Sequence, residues 1–141
     1  MAFSALNAPP ARIERADVAV VERTTADDLP SIQALWPWFE GLVGLRGRKM
    51  FARVDERAGT YTVCTPVRDG DRPAELGLAT GVLPGGSYLR GHLTGEPPGI
   101  YARIGDAMAE LQAAAIVTDA TRPLVEFYRR RDHVELWVPV P

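Results

Sequence analysis

The chain has 141 residues, a length that fits one domain. Its net charge of −2 argues against a nucleic-acid-binding surface, which is normally basic, and its 46% hydrophobic and 24% charged residues are ordinary for a soluble globular protein. Cys64 is the only cysteine, so no internal disulfide can form and a cytoplasmic location is expected. No apolar run approaches the roughly 20 residues of a transmembrane helix, and residues 1–11 lack the features of a secretory signal, so we expect a flexible tail there and no membrane association.

The spacing of apolar residues predicts seven strands and two helices in residues 12–141, which we take as the folded domain. In chain order they are a strand at 18–22, a helix that begins at Asp27 or Asp28 and ends near 44, strands at 49–54, 60–67, 75–83 and 87–93, a helix at 100–115, and a hairpin at 123–140. Asp27 or Asp28 is the expected N-cap of the first helix. Pro37 lies inside the same helix and is expected to kink or divide it.

The order of these elements indicates an internal duplication. Residues 51–67, moved by 73 positions, fall on 124–140 without a gap, and the two helices correspond with a shift of 69. The predicted fold is therefore α+β, with two tandem β-α-β-β units that form a curved antiparallel sheet. Both helices would cover one face of the sheet, and the other face would be an open ligand cup.

The final hairpin has an apolar and a mixed face, because successive side chains of a strand point to opposite sides. A tight turn would place Glu126, Tyr128, Glu135 and Trp137 on the mixed face. Under the duplication, Arg53 takes the place of Glu126 and Cys64 that of Trp137. We therefore expect all of these residues on the cup face, near its centre, with Thr62 beside them.

Several short motifs resemble the GyrI-like (gyrase-inhibitor-like) small-molecule-binding domain, which also forms the effector-binding half of MerR- and AraC-type multidrug regulators. They are Leu83-Pro-Gly-Gly-Ser-Tyr88, His92-Leu-Thr-Gly95, Glu126-Phe-Tyr128 and Leu136-Trp-Val-Pro-Val140. The resemblance covers 12–141 and implies a central pocket for planar, lipophilic and often cationic molecules. It places the family's key carboxylate at Glu126 and an aromatic wall at Trp137. No DNA-binding half is recognised, so we expect a stand-alone domain without direct nucleic-acid contact.

The resemblance leaves three functions open. The first is binding of a planar lipophilic compound, held by the glutamate and by pocket-lining residues, for which the candidates are Glu126, Trp137, Arg53, Tyr88, Trp38, Tyr101 and Cys64. The second is hydrolysis of strained, cyclopropane-bearing natural products, with Glu126 and Tyr128 as catalytic residues. The third is a protein-interaction module like the gyrase inhibitor. A homodimer or another protein partner is left open by the sequence.

The position of Arg53 decides which ligand charge the pocket would favour. If Arg53 meets Glu126, the pocket is close to neutral, whereas a lone carboxylate among aromatic rings favours a cation. A surface salt bridge from Glu126 to one of the arginines at 129–131 is the structural alternative. Trp36 and Phe39 fit the core-facing stripe of the first helix better than a pocket wall. We predict no cofactor and no metal site, because His92 and His133 are not spaced like metal ligands.

Overall fold

The computed structural model describes residues 4–141. The described chain contains eight strands, three α-helices and a short 3-10 helix at Pro73–Leu76. The strands are β1 (Ala11–Arg15), β2 (Val18–Ala26), β3 (Met50–Asp55), β4 (Thr60–Pro66), β5 (Ala79–Leu83), β6 (Gly86–Thr94), β7 (Leu124–Arg130) and β8 (His133–Pro139). The helices are α1 (Leu29–Val43), α2 (Gly99–Ala102) and α3 (Ile104–Ala115). None of these helices is long and apolar enough to cross a membrane.

The strands form one antiparallel sheet, ordered β1-β6-β8-β7-β3-β4-β2-β5. This order is symmetric about the β7–β3 pair, with β8 matching β4, β6 matching β2, and the edge strands β1 and β5 matching each other. The bounds of β4 and β8 differ by 73 at both ends, which is the offset found in the sequence. The predicted α+β fold, a curved antiparallel sheet with helices built from two tandem units, is confirmed.

Helix α1 begins where its capping residues predict. Asp28 is the N-cap and accepts a hydrogen bond from the backbone N–H of Ser31 at 2.8 Å, and Pro30 occupies the first turn, where its missing N–H has no helical partner. The expected division at Pro37 does not occur, because the helix continues to Val43 and ends at Gly44, whose φ is 75°. The buried residues of α1 are Leu35 and Phe39.

Two other predicted elements differ from the structure. The second helix is interrupted at Arg103, whose guanidinium donates hydrogen bonds to the carbonyl oxygens of Thr94 (2.7 Å) and Ala5 (3.0 Å). The predicted strand at 75–83 consists of the 3-10 helix followed by β5. The edge strand β1, which pairs with β6, was not predicted as a strand of its own, since Ile13 is its only large apolar residue.

The final hairpin has a different register from the predicted one. Its strands begin to pair at Arg130 and His133, as a two-residue turn requires, but a bulge between Tyr128 and Arg130 then shifts the register by one residue. Beyond the bulge, Glu126 pairs with Leu136, and Trp137 pairs with Val125. Because a one-residue slip turns every following side chain to the other face, the prediction that Glu126 and Trp137 share a face is wrong.

The two faces of the sheet are packed differently. The helix face, which carries Ala52, Val63, Glu126 and Leu136 near its centre, is covered by α1 on one side and by α2 and α3 on the other. The opposite face carries Phe51, Tyr88, Phe127 and Trp137 and is called here the aromatic face.

No helix of the described chain packs on the aromatic face. Even so, Tyr88 is 0% and Trp137 1% exposed. Burial without a covering layer follows because the sheet curls into a half-barrel around these rings. The side expected to be an open cup is therefore filled by aromatic side chains, including Phe51 and Phe127 stacked with ring centroids 4.4 Å apart.

Candidate functional site

Glu126 lies on the helix face at the boundary between the two helix-packed clusters. It is flanked by Ala52 of β3 and Leu136 of β8, and the first belongs to the core under α1 while the second belongs to the core under α3. The side chain is almost fully buried, with 7% of the residue exposed. A carboxylate therefore occupies the centre of the sheet, beneath the junction of the helices.

Two tyrosine hydroxyls hold this carboxylate. Tyr61 of β4 donates a hydrogen bond to Glu126 Oε1 at 2.8 Å, and Tyr128 of β7 donates to the same oxygen at 2.6 Å. The hydroxyl of Tyr61 in turn accepts a hydrogen bond from the indole Nε1 of Trp36 at 3.0 Å. The four side chains form one connected polar network within an otherwise apolar core.

Glu126 has no cationic partner in residues 4–141, since none of the ion pairs found there includes it. Burial raises the pKa of its carboxyl group above the ordinary value of 4.5, and the tyrosine hydrogen bonds offset only part of this effect. Burial and the neighbouring carboxylate also raise the pKa of Tyr61 and Tyr128, so both hydroxyls keep their protons and remain donors. The Glu126 carboxyl group is therefore either negatively charged without a compensating cation or protonated and neutral.

Aromatic rings line the space above this network. Trp36 of α1 meets Tyr128 edge-on, with ring centroids 5.0 Å apart. Tyr101 of α2 lies on the other side of Tyr128, at 6.2 Å, and is 43% exposed. Rings from both helices thus stand between Glu126 and solvent. Two surface pockets, of about 490 and 250 Å³, lie elsewhere and are not lined by this carboxylate.

The structure brings together only part of the predicted site. Of the candidate residues, Glu126, Tyr128 and Tyr101 form the cluster on the helix face. The others lie on the opposite face of the sheet or on the surface: Trp137, Tyr88, Cys64, Arg53 and Trp38.

The sequence left open whether Arg53 pairs with Glu126. Arg53 does not meet Glu126, because it pairs with Val125 across the sheet and so projects from the aromatic face. Its guanidinium forms a salt bridge with Glu22 and donates a hydrogen bond to the carbonyl oxygen of Val82 at 2.5 Å. The surface alternative for Glu126 is also excluded, because Glu126 is buried and takes part in none of the ion pairs of residues 4–141.

The remaining candidates have structural environments of their own. Trp137 donates a hydrogen bond from Nε1 to Glu135 Oε1 at 3.1 Å, and Tyr88 donates to the carbonyl oxygen of Pro84 at 2.5 Å. Burial raises the pKa of the Cys64 thiol to about 12, so it stays protonated. Trp38 is 41% exposed and lies 5.0 Å from the guanidinium of Arg23.

Sequence reasoning missed two members of the cluster, Tyr61 and Trp36. Tyr61 pairs with Val54, which is two residues from Ala52, the partner of Glu126. Tyr61 therefore lies on the same face of the sheet as Glu126. The alternation of side chains along the strands would have predicted this if the β3–β7 register had been known. Trp36 was assigned to the core stripe of its helix, yet its indole N–H is bonded to the site. The available signal was the indole N–H of Trp36, because a buried tryptophan usually needs a hydrogen-bond acceptor for this group.

One group of potential metal ligands is also assembled by the fold, although no metal site was predicted. His92, His133 and Glu135 come together on the aromatic face, because β6, which carries His92, pairs with β8, which carries His133 and Glu135. The cluster lies on the opposite side of the sheet from Glu126. It is therefore separate from the tyrosine network.

No family model and no curated protein sequence matches the chain. Solved structures do. An integron cassette protein from the mobile metagenome of Vibrio cholerae has a TM-score of 0.69 and 19% identity, over 94% of this chain and 95% of that one. SAV2435, solved bound to tetraphenylphosphonium, has a TM-score of 0.64 and 15% identity, over 95% and 94%. The C-terminal domain of EcmrR has a TM-score of 0.63 and 15% identity, over 94% and 97%.

These likenesses extend over almost the whole chain and over almost the whole of each matched structure. At such low sequence identity they establish the fold. They do not by themselves assign a ligand or any site residue to this chain.

Proposed function

Because the chain has the fold of the GyrI-like small-molecule-binding domains, we propose that it binds lipophilic, aryl-bearing organic cations between its helices, with Glu126 as the counter-charge. The observation that carries the proposal is that this buried carboxylate has no basic partner in the described residues. Burying a charge without a partner is costly, so such a group is typical of a functional site. A cationic ligand would supply the missing partner.

The surroundings of Glu126 suit a ligand that is both charged and aromatic. Trp36, Tyr128 and Tyr101 present rings that can contact a cation, a type of interaction worth roughly 0.5–2 kcal/mol, depending on desolvation. The hydroxyl groups of Tyr61 and Tyr128 hold the Glu126 carboxylate in one orientation through their hydrogen bonds. A neutral planar ligand would gain the aromatic contacts but would leave the carboxylate unpaired.

Ligand entry requires movement of the aromatic side chains around Glu126, because Glu126 is only 7% exposed in the structure. Tyr101 is the more mobile candidate, since it is exposed and sits on the four-residue helix α2. Trp36 is held by its bond to Tyr61. We therefore expect the ligand to enter from the α2 side and to displace Tyr101 first.

Two further observations favour this function. SAV2435, which shares the fold, was solved with tetraphenylphosphonium, a cation that carries four aryl groups. The second is that the Oε1 atom of Glu126 accepts hydrogen bonds from both tyrosines, which holds the carboxylate in place as the counter-charge for a bound cation.

Isothermal titration with tetraphenylphosphonium and with the neutral triphenylphosphine oxide tests the proposal. At an effective dielectric constant of about 20, two unit charges roughly 5 Å apart interact by about 3 kcal/mol, or about a hundredfold in Kd. Glu126→Gln should therefore weaken binding of the cation by one to two orders of magnitude and leave binding of the neutral compound almost unchanged.

Glu135→Gln provides the matched control, because it neutralises another buried glutamate on the opposite face of the sheet. It should bind tetraphenylphosphonium like the wild type. The proposal fails if Glu126→Gln binds the cation as tightly as the wild type does, or if it loses affinity for both compounds equally.

A further inference from the structure

His92, His133 and Glu135 converge at the end of the sheet formed by β6 and β8. His92 lies directly opposite Glu135 in the strand pairing, and His133 precedes Glu135 by two residues, so all three side chains project from the aromatic face. The imidazole nitrogens His92 Nδ1 and His133 Nε2 are 2.9 Å apart. One potential ligand atom from each of the three residues lies within 4.8 Å of the other two.

We propose that these residues form a binding site for a divalent transition-metal ion, with two imidazoles and one carboxylate as ligands. Metal–nitrogen bonds to histidine are about 2.0–2.1 Å long. Two such ligands at a right angle are therefore about 3.0 Å apart, whereas tetrahedral ligands are about 3.3 Å apart. The observed separation of 2.9 Å is that of a hydrogen bond between the rings and is close to both values, so a small movement of the rings would let one ion bind both nitrogens. Imidazole and carboxylate ligands together suit ions such as Cu²⁺, Ni²⁺ and Zn²⁺.

The carboxylate is held in place by its neighbours. Glu135 is 3% exposed, its Oε1 accepts the hydrogen bond from Trp137, and its Oε2 contacts Arg129 at 3.2 Å. Such contacts fix a ligand before the metal arrives. The histidines are only half-buried, so an ion can reach them from solvent.

The imidazoles are suited to bind a cation at neutral pH. Their hydrogen bond requires one ring to donate and the other to accept, so at least one ring is neutral. The neutral ring can offer its lone pair to a metal ion in place of this hydrogen bond.

Two arginines oppose the binding of a cation. Arg129 Nη1 lies 3.2 Å from Glu135 Oε2, and Arg90 Nε lies 4.0 Å from Oε1. They compete with the metal for the carboxylate and lower its affinity, so the site should be selective for ions that bind nitrogen strongly. The competition also predicts a gain of function, since Arg129→Gln should tighten metal binding several-fold.

The experiment uses full-length protein without an affinity tag, because His92 and His133 are the only histidines in the chain. Wild type is titrated with NiCl2, CuCl2 and ZnCl2 by calorimetry at pH 7.5. The expected result is one ion per chain, with Cu²⁺ tighter than Ni²⁺. His92→Asn and His133→Asn should each weaken binding at least tenfold, while Glu75→Gln, which removes an exposed carboxylate of the 3-10 helix before the edge strand β5, should not.

Nuclear magnetic resonance tests the wild type without any substitution. One equivalent of Zn²⁺ should shift the imidazole nitrogen signals of both histidines together, and Ni²⁺ should broaden both. Unchanged imidazole signals, or equal affinity in the double histidine variant, would overturn the proposal. An unchanged or weakened affinity in Arg129→Gln would overturn the assignment of Glu135 as a ligand.

Discussion

The folded state should become more stable when the charge of Glu126 is removed. Glu126→Gln keeps the size of the side chain and an oxygen that can accept the hydrogen bonds of Tyr61 and Tyr128. It removes a carboxylate that is 7% exposed and has no basic partner in residues 4–141. If Glu126 serves the proposed binding of a cation, it is expected to cost stability when no ligand is present.

The magnitude follows from the raised pKa of the Glu126 carboxyl group. The folded state holds this proton more tightly than the unfolded chain, so the free energy of unfolding of the wild type falls as the pH rises from about 4.5 through the folded pKa. Each unit of the difference corresponds to about 1.4 kcal/mol, or about 4 °C in Tm for a chain of this length. The Glu126→Gln variant has no carboxyl group at this position, so its free energy of unfolding does not fall in this way. The difference in free energy of unfolding between the variant and the wild type should therefore grow between pH 4.5 and pH 8.

Thermal unfolding of both proteins, followed by circular dichroism at pH 4.5, 6 and 8, measures this advantage. Glu135→Gln is the contrasting variant, since Glu135 is 3% exposed but contacts Arg129. Its neutralisation leaves the arginine unpaired and should lower stability at pH 8 by about 1–2 kcal/mol, a modest value because Arg129 is half exposed. A Glu126→Gln protein less stable than the wild type at pH 8, or equally shifted at every pH, would refute the reasoning.

Three other predictions concern individual side chains. Tyr61→Phe removes one donor to Glu126 and should lower the free energy of unfolding by about 1–2 kcal/mol, as measured by urea denaturation; no loss would mean that the bond contributes nothing. Phe39→Ala should cost about 3–5 kcal/mol because Phe39 is 0% exposed, whereas Trp38→Ala on the exposed side of the same helix should cost about 1 kcal/mol or less, and similar losses would contradict the assigned faces. Cys64 should react with a thiol reagent at pH 8 only when the chain unfolds, because its pKa is raised to about 12, and rapid labelling of the folded protein would contradict its burial.

The general architecture could be predicted from sequence because it depends on patterns that repeat. The N-cap at Asp28 and the offset of 73 between β4 and β8 are both present in the structure. The break at Arg103 was not predictable, because the side chain of Arg103 bonds to carbonyl oxygens outside the helix, one of them on Ala5, 98 residues away in sequence. Strand β1 was missed since an exposed edge strand needs few apolar residues.

The site was only partly predictable, for one physical reason. The resemblance pointed to Glu126 as a candidate, but the residues around Glu126 depend on the strand register, and the register depends on a bulge of one residue. A gapless alignment treats Arg53 as the equivalent of Glu126, yet the two project from opposite faces. A bulge leaves little trace in an apolar pattern, because the residue it inserts, Arg129, is exposed.

The same bulge changes which residue of the first half corresponds to Glu126. When β4 is matched to β8, the structural equivalent of Glu126 is Ala52, and these two residues pair directly with each other across the β3–β7 boundary. They therefore lie at the pseudo-two-fold axis. Two glutamates in this position would repel each other, and an arginine would neutralise the site. Alanine leaves the charge of Glu126 unpaired, within reach of rings from both halves of the fold, which is the arrangement that a bound cation requires.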